Sequence, residues 1–171
     1  MSKASPSAPE IAKTNRTFHI VASRFNAQYV DGLVDHVLKE LRALAPNVMT
    51  LLHRVPGSFE IPVVAREIAT QNTPNAIIAC GVILQGETDH AQNLSRSVTD
   101  ALQRIAIEHG VPVINAVLSF DNEEQARARC LENKINRGTE AARAAVEITN
   151  VLSEIRTKQG VVVSKPPRDN G

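Results

Sequence analysis

The sequence of 171 residues contains no tryptophan, one tyrosine, four phenylalanines and only two cysteines. Cys80 and Cys130 have no metal-type spacing around them, so we interpret both as reduced packing residues and expect no metal site. GxGxxG, GxxxxGK and GxSxG patterns are also absent, and the sequence therefore gives no support to a nucleotide- or metal-dependent mechanism. Because aromatic residues are scarce, Phe25 in a predicted loop would be a notable use of one.

The sequence also lacks an excess of charge of one sign and lacks long apolar runs. The 19 basic residues nearly balance the 18 acidic ones and are dispersed along the chain, which is unlike a nucleic-acid binder. No apolar run approaches the roughly 20 residues that span a bilayer, and the N-terminus has no hydrophobic signal core. We therefore expect a soluble, cytoplasmic protein without nucleic-acid or membrane partners.

The chain has the length of one ordinary domain. Residues 1–15 are rich in Ser, Ala, Pro and Lys without periodicity, which predicts a flexible N-terminal tail. Residues 158–171 contain Pro and Gly, and we expect a loose C-terminal tail there. The folded domain is predicted over residues 16–157.

Hydrophobic periodicity between the tails predicts strands that alternate with helices. This alternation implies right-handed crossovers and a parallel sheet with helices on both faces, an α/β fold. The strands are predicted over residues 17–22, 48–55, 76–84 and 111–119, and the helices over 27–44, from the turn at 56–62 to about 71, and over 88–109, 122–131 and 138–157.

Candidate functional residues follow the predicted strands at their carboxyl ends. Because parallel strands end at one edge of a sheet, we expect these residues to lie together, where doubly wound proteins usually bind ligands. They are Phe25 and Asn26 after the first strand, Ser58–Glu60 after the second, residues 86–90 after the third, and residues 115–121 on or after the fourth.

Residues 81–94 are the most informative stretch. A buried strand gives way at Gly86 to the start of a helix, whose free amides form a ready anion site, and His90 lies in its first turn. A titratable imidazole beside a phosphate is suited to proton transfer. The alternative is that His90 is only a solvated or capping residue.

Three other side chains have a structural as well as a functional interpretation. Phe25 is either a stacking platform for a flat ring or a hydrophobic staple on the following helix. Glu60 either accepts hydrogen bonds from a substrate or complements a helix dipole. Arg129, in a cluster with Arg127, Lys134 and Arg137, either grips a phosphate or is a solvated charge.

Several motifs occur together and in order. They are SRFN at 23–26, VPGSFEIP at 55–62, GETDH at 86–90, GVPV at 110–113 and NRGTEAA at 136–142. On these motifs the chain resembles the lumazine synthase family, the 6,7-dimethyl-8-ribityllumazine synthases of riboflavin biosynthesis, over about residues 17–156.

The resemblance implies a flavodoxin-like three-layer sandwich around a four-stranded parallel sheet, assembled into pentamers with active sites at subunit interfaces. It also implies a cofactor-free transferase that condenses 5-amino-6-(D-ribitylamino)uracil with 3,4-dihydroxy-2-butanone 4-phosphate and releases phosphate and water. The connection at 132–137 has no insertion relative to capsid-forming members, which favours a sixty-subunit icosahedral shell. The alternative is a non-catalytic flavin-binding or cage-forming member of the fold.

The resemblance further implies roles for individual residues. His90 matches the proton-transfer histidine, and Phe25 the residue that stacks on the pyrimidine ring. Glu87 and Thr88 match the phosphate-binding residues, with Arg129 supplied by the neighbouring subunit. The substrate-binding positions are Ser58, Phe59, Glu60, Val82, Ile83, Leu84 and Asn115.

This chain departs from the family pattern at several positions. Asn115 stands where many members place a phenylalanine, Gln85 where arginine is frequent, and Lys134 lies in an altered context. Whether Asn115 and Lys134 contact a substrate therefore stays open.

Overall fold

The computed structural model describes residues 16–71, 74–86 and 89–157, together with Ala8. The predicted tails at 1–15 and 158–171, Ala8 excepted, lie outside the described residues. Glu87 and Thr88, both expected at the phosphate, also lie outside them.

The described residues form four strands and five α helices. The strands are β1 (Thr17–Ser23), β2 (Met49–Val55), β3 (Ala76–Leu84) and β4 (Val113–Phe120), and the helices are α1 (Ala27–Leu44), α2 (Ile61–Gln71), α3 (His90–His109), α4 (Glu123–Cys130) and α5 (Arg137–Arg156), with a single 3₁₀ turn at Ser58–Glu60 before α2.

All strand pairs are parallel, and the strand order is β2-β1-β3-β4. Helices α1, α4 and α5 cover one face of this sheet, and α2 and α3 cover the other. The order is that of flavodoxin-like sheets. The predicted three-layer α/β fold with a four-stranded parallel sheet is thus confirmed.

Strand β3 is buried on both faces because it pairs with β1 on one side and β4 on the other. Ile78 and Val82 pack into the core beneath α1 and α5, whereas Ile77 and Ile83 pack into the core beneath α2 and α3. A continuous apolar run is what such a position requires. Burying one such side chain stabilises the fold by about 1.5–3 kcal/mol.

The two cysteines are buried and free, Cys80 on β3 and Cys130 at the end of α4. Burial raises the pKa of both thiols to about 12. They therefore remain protonated at neutral pH and act as small apolar side chains, as the sequence predicts.

The element boundaries agree with the prediction where the local signal is strong. Helix α1 has the predicted bounds, and Gly110 ends α3 in the left-handed conformation, with φ of 63°. Strand β4 begins at Val113, two residues later than predicted, because Pro112 has no N–H to donate to the sheet. None of the helices in the described part of the chain is long and apolar enough to cross a membrane.

Two histidines meet on the α2 side of the sheet. His19 of β1 is only 5% exposed, and its Nδ1 lies 3.0 Å from Nε2 of His53 on β2, with the rings stacked. Burial, and secondarily the charge of His53, lowers the pKa of His19. Glu67 and Gln71 of α2 line the cavity beside His53, so the pair has one carboxylate nearby.

We expect the free energy of unfolding to fall as the pH drops below about 6.5, the ordinary histidine pKa. The unfolded chain then binds a proton that folded His19 resists, so stability rises with pH in this window. Urea unfolding at about pH 7.5 and about pH 5.5 measures the difference. His19→Gln should strongly reduce this difference in unfolding free energy between the two pH values, and His53→Gln should reduce it partly. The control His36→Gln on α1 should reduce the difference less than His19→Gln or His53→Gln does. Equal pH dependence in all three variants would contradict this assignment.

Candidate active site at the carboxyl edge of the sheet

The loop after β1 holds the Phe25 side chain in an exposed position. The amides of Arg24 and Phe25 donate to the carbonyls of Val55 and Pro56, at 2.8 and 3.1 Å, which fixes the loop against the end of β2. The phenylalanine side chain is 71% exposed. This exposure does not fit a buried staple and leaves the ring face available for stacking.

Asn26 holds this loop in an unusual backbone conformation. It has φ of 57° and ψ of 41°, and it is the only described non-glycine residue with positive φ. Its side-chain Nδ2 donates to the Val82 carbonyl on β3 at 2.8 Å. The Asn26 side chain therefore ties the Phe25 loop to the centre of the sheet.

The turn after β2 depends on Gly81 of β3. An added Cβ at Gly81 would lie 2.6 Å from the Ser58 Oγ, a distance that side chains do not tolerate. The absence of a side chain there lets the 3₁₀ turn approach the sheet. Ser58 is thereby buried, whereas Phe59, the next residue, is 65% exposed.

Glu60 has a structural contact. One carboxylate oxygen accepts a hydrogen bond at 2.8 Å from the Gly57 amide, which closes the turn. Glu60 is not among the residues that line the cavity at this edge. The contact corresponds to the helix-start alternative and leaves the second carboxylate oxygen for a ligand.

His90 is the first residue of α3 and is exposed. Asp89 occupies the N-cap position, but its side chain accepts no hydrogen bond from the helix. The amides of the first turn therefore have no side-chain acceptor from Asp89, and the positive end of the helix dipole is open to an anion.

These elements enclose one cavity of about 560 Å³, which we call the carboxyl-edge cavity. Its size fits a small organic ligand, and the lining is largely apolar with few polar groups. The lining residues are Phe25, Asn26, Gly57, Ser58, Phe59, Val82, Ile83, Leu84, His90, Ala91 and Leu94.

Seven residues singled out from the sequence share this cavity: Phe25, Ser58, Phe59, Val82, Ile83, Leu84 and His90. Asn26, a candidate from its place after the first strand, lines the cavity as well. Its signal is the tolerance of asparagine for the left-handed conformation directly after a strand. Ala91 and Leu94 give no signal, because an apolar side chain on α3 looks like any core residue.

Two predicted site residues lie elsewhere in this chain. Asn115 on β4 donates to the Thr99 hydroxyl at 3.1 Å and accepts from the Val117 amide at 2.9 Å, so its side chain joins β4 to α3. Arg129 on α4 lines a separate cavity with Asp121, Glu124 and their neighbours.

The described lining of the carboxyl-edge cavity contains no lysine or arginine. Within the described ranges, no group of three or more His, Cys, Asp or Glu side chains could hold a metal ion. The groups available for chemistry are therefore the His90 imidazole, the Ser58 hydroxyl, the Asn26 amide and the backbone.

Comparison with known proteins gives a consistent result. The family model for 6,7-dimethyl-8-ribityllumazine synthase matches residues 15–153. The chain is 39% identical over 142 residues to the 6,7-dimethyl-8-ribityllumazine synthase of Paraburkholderia phymatum, covering 82% of this chain and 80% of that protein. It is 40% identical over 153 residues to the Streptomyces coelicolor protein of that name, covering 86% and 94%. It is 36% identical over 149 residues to the Leptothrix cholodnii protein of that name, and the match covers 86% of this chain and 94% of that protein.

Two substitutions at Asn26 should separate its side-chain bond from its backbone conformation. Asn26→Gly removes the bond to Val82, tolerates the left-handed conformation and gains backbone freedom in the unfolded chain, so it should cost roughly 1–2 kcal/mol of unfolding free energy. Asn26→Ala loses the bond and also places a Cβ in the left-handed region, which should cost about 1 kcal/mol more. Urea unfolding measures both, and equal losses would show that the backbone conformation is not strained.

Proposed function

The chain belongs to the 6,7-dimethyl-8-ribityllumazine synthase family, and we propose that the carboxyl-edge cavity is where it condenses 5-amino-6-(D-ribitylamino)uracil with 3,4-dihydroxy-2-butanone 4-phosphate. It is thus an enzyme of riboflavin biosynthesis, a transferase. The observation that supports the site assignment most directly is that the exposed Phe25 ring and the His90 imidazole line the same cavity. We further propose a cytoplasmic location.

The pyrimidine ring stacks on Phe25 above the apolar floor formed by Val82, Ile83 and Leu84. An exposed aromatic face is favourable for a flat heterocycle because it supplies contact area without losing side-chain entropy. Phe59 closes the cavity from the other side. The Ser58 hydroxyl and the free carboxylate oxygen of Glu60 meet the polar groups of the ribityl-bearing substrate.

His90 moves protons between the intermediates. Imine formation, loss of phosphate and ring closure each need a proton delivered or removed near neutral pH, which suits an imidazole. Much of the acceleration comes from holding two substrates together, an effect worth up to roughly 7–11 kcal/mol in favourable cases. Backbone amides at the start of α3, with Glu87 and Thr88, bind the phosphate.

The phosphate requires a cation, and the described part of one subunit supplies none in the lining of this cavity. A phosphate dianion is best paired with a bidentate arginine, and the described lining contains none. We propose that Arg129 of a neighbouring subunit completes the site. The substrate contact expected of Asn115 stays a prediction.

Exposed apolar side chains on the surface of the subunit support its assembly into a homo-oligomer. Met49, Leu51 and Leu52 on the edge strand β2 and Val63 on α2 are exposed apolar side chains. An open edge strand with apolar side chains is usually covered by another chain. We propose a homopentamer, with further association into a sixty-subunit shell.

The variants His90→Ala and Arg129→Ala test the active site. His90→Ala should lower kcat by at least about tenfold. Arg129→Ala should mainly raise KM for the phosphate-bearing substrate, also by at least about tenfold. Lumazine formation is followed by absorbance and fluorescence after subtraction of the uncatalysed reaction. Background rates from the folded wild-type assembly would contradict catalysis and leave a flavin-binding or cage-forming protein.

Co-expression of the two variants tests whether the site is shared between subunits. In mixed oligomers, about a quarter of the interfaces should combine an intact His90 with an intact Arg129 from the neighbour. Activity should therefore rise well above that of either variant alone. Mixing the two purified proteins without subunit exchange is the control. No recovery in verified mixed oligomers would show that both residues act within one chain, or that Arg129 is not used.

Light scattering on the wild-type protein tests the assembly. Each subunit has a mass of 18.5 kDa, so a pentamer and a sixty-subunit shell differ about twelvefold in mass. We expect the shell mass. A stable pentamer would overturn the shell proposal and leave the shared active site intact, whereas a monomer would overturn both.

A further inference from the structure

A second cavity lies at the opposite edge of the sheet, next to the amino ends of the strands. It has a volume of about 140 Å³, and we call it the amino-edge cavity. Arg16 precedes β1, Asn75 precedes β3, and the rest of the lining comes from the last turns of α5 and the residue after it. The lining residues are Arg16, Asn75, Thr149, Leu152, Ser153, Arg156 and Thr157.

Arg16 is a buried cation without an anionic partner among the described residues. It is only 7% exposed, and its Nη1 donates to the Thr149 hydroxyl at 2.6 Å and to the Val146 carbonyl at 3.4 Å. None of the ion pairs among the described residues includes Arg16. A guanidinium carries five N–H donors, so those on Nε and Nη2 remain available. A buried charge without a counter-charge is costly, and burial lowers the pKa of Arg16.

Other donors of the amino-edge cavity complement Arg16. Arg156 is exposed and makes only a long contact, 3.5 Å, to the Gly110 carbonyl. The Asn75 side-chain oxygen already accepts from the Thr17 amide at 2.8 Å, which leaves the amide N–H groups of that side chain as donors. The Ser153 hydroxyl is a further candidate donor. Within the described part of the chain, no aspartate or glutamate lines this cavity.

The C-terminal dipole of α5 does not by itself balance these charges. A helix C-terminus corresponds to about half a negative charge, whereas Arg16 and Arg156 carry two positive charges. Thr157 also covers part of this terminus, because its amide and hydroxyl donate to the carbonyl of Ser153, and its hydroxyl to that of Glu154. The described residues of the cavity therefore carry a net positive charge.

We propose that the amino-edge cavity binds a small tetrahedral oxyanion, inorganic phosphate, between Arg16 and Arg156. The volume of about 140 Å³ accommodates phosphate. The Arg16 guanidinium binds the anion from the buried side, Arg156 from the solvent side, and the Asn75 amide and Ser153 hydroxyl supply further hydrogen bonds. The site is independent of the proposed active site, which lies at the other end of the strands.

Calorimetric titration of the full chain with potassium phosphate at constant ionic strength tests the proposal. Arg129→Gln is present throughout, to remove the arginine that we place at the active-site phosphate. We expect saturable binding of about one phosphate per chain. Adding Arg156→Gln should weaken it at least about tenfold. The matched control is Arg66→Gln, an exposed arginine on α2 outside this cavity, which should leave the affinity unchanged.

A variant of the buried arginine separates binding from folding. Arg16→Lys keeps the charge but offers fewer donors, so we expect weaker phosphate binding in a protein with an unchanged circular dichroism spectrum. Arg156→Gln should leave lumazine formation unchanged, because the residue lies far from the carboxyl-edge cavity. Absence of saturable binding in the Arg129→Gln background would overturn the proposal. So would equal affinities for the Arg156→Gln and Arg66→Gln proteins.

Discussion

Burial of β3 on both faces constrains most of this structure. The strand can contribute no polar side chain without a partner, so it contributes the apolar lining of Val82, Ile83 and Leu84, a backbone carbonyl and the absence of a side chain. The Val82 carbonyl holds Asn26 and hence the Phe25 loop, while Gly81 admits Ser58 and hence the 3₁₀ turn. The two loops that form the carboxyl-edge cavity are thus positioned by the same buried strand. Their geometry is as stable as the core beneath them.

The carboxyl-edge cavity is well formed but electrostatically incomplete. It has an aromatic platform, an apolar floor and an imidazole, whereas Arg129 on α4 lines a different cavity. The proposed shared interface would place Arg129 of one subunit at the carboxyl-edge cavity of its neighbour. Assembly would then be a condition for catalysis as well as for covering the exposed apolar side chains of β2.

The two edges of the sheet differ in their charge balance. Among the described lining residues, the carboxyl edge presents helix amides and a histidine without a lysine or arginine, whereas the amino edge presents two arginines without a carboxylate. Local packing explains why Arg16 keeps its position, because it bonds to Thr149 on α5. This packing does not explain why the buried residue is a charged one. The proposed bound oxyanion explains it, because it supplies the counter-charge.

The sequence alone determined the order of elements, the parallel sheet and the bounds of α1 and β3, because periodicity and apolar runs are local signals that burial enforces. It also indicated that Phe25 and His90 would meet, since strand ends of a parallel sheet share an edge. Only the tertiary structure decided that Glu60 closes its own turn, that Asn26 bonds to β3, and that Arg16 is buried beside Arg156. These features depend on contacts formed in the folded chain, and such contacts cannot be predicted from the identity of one side chain.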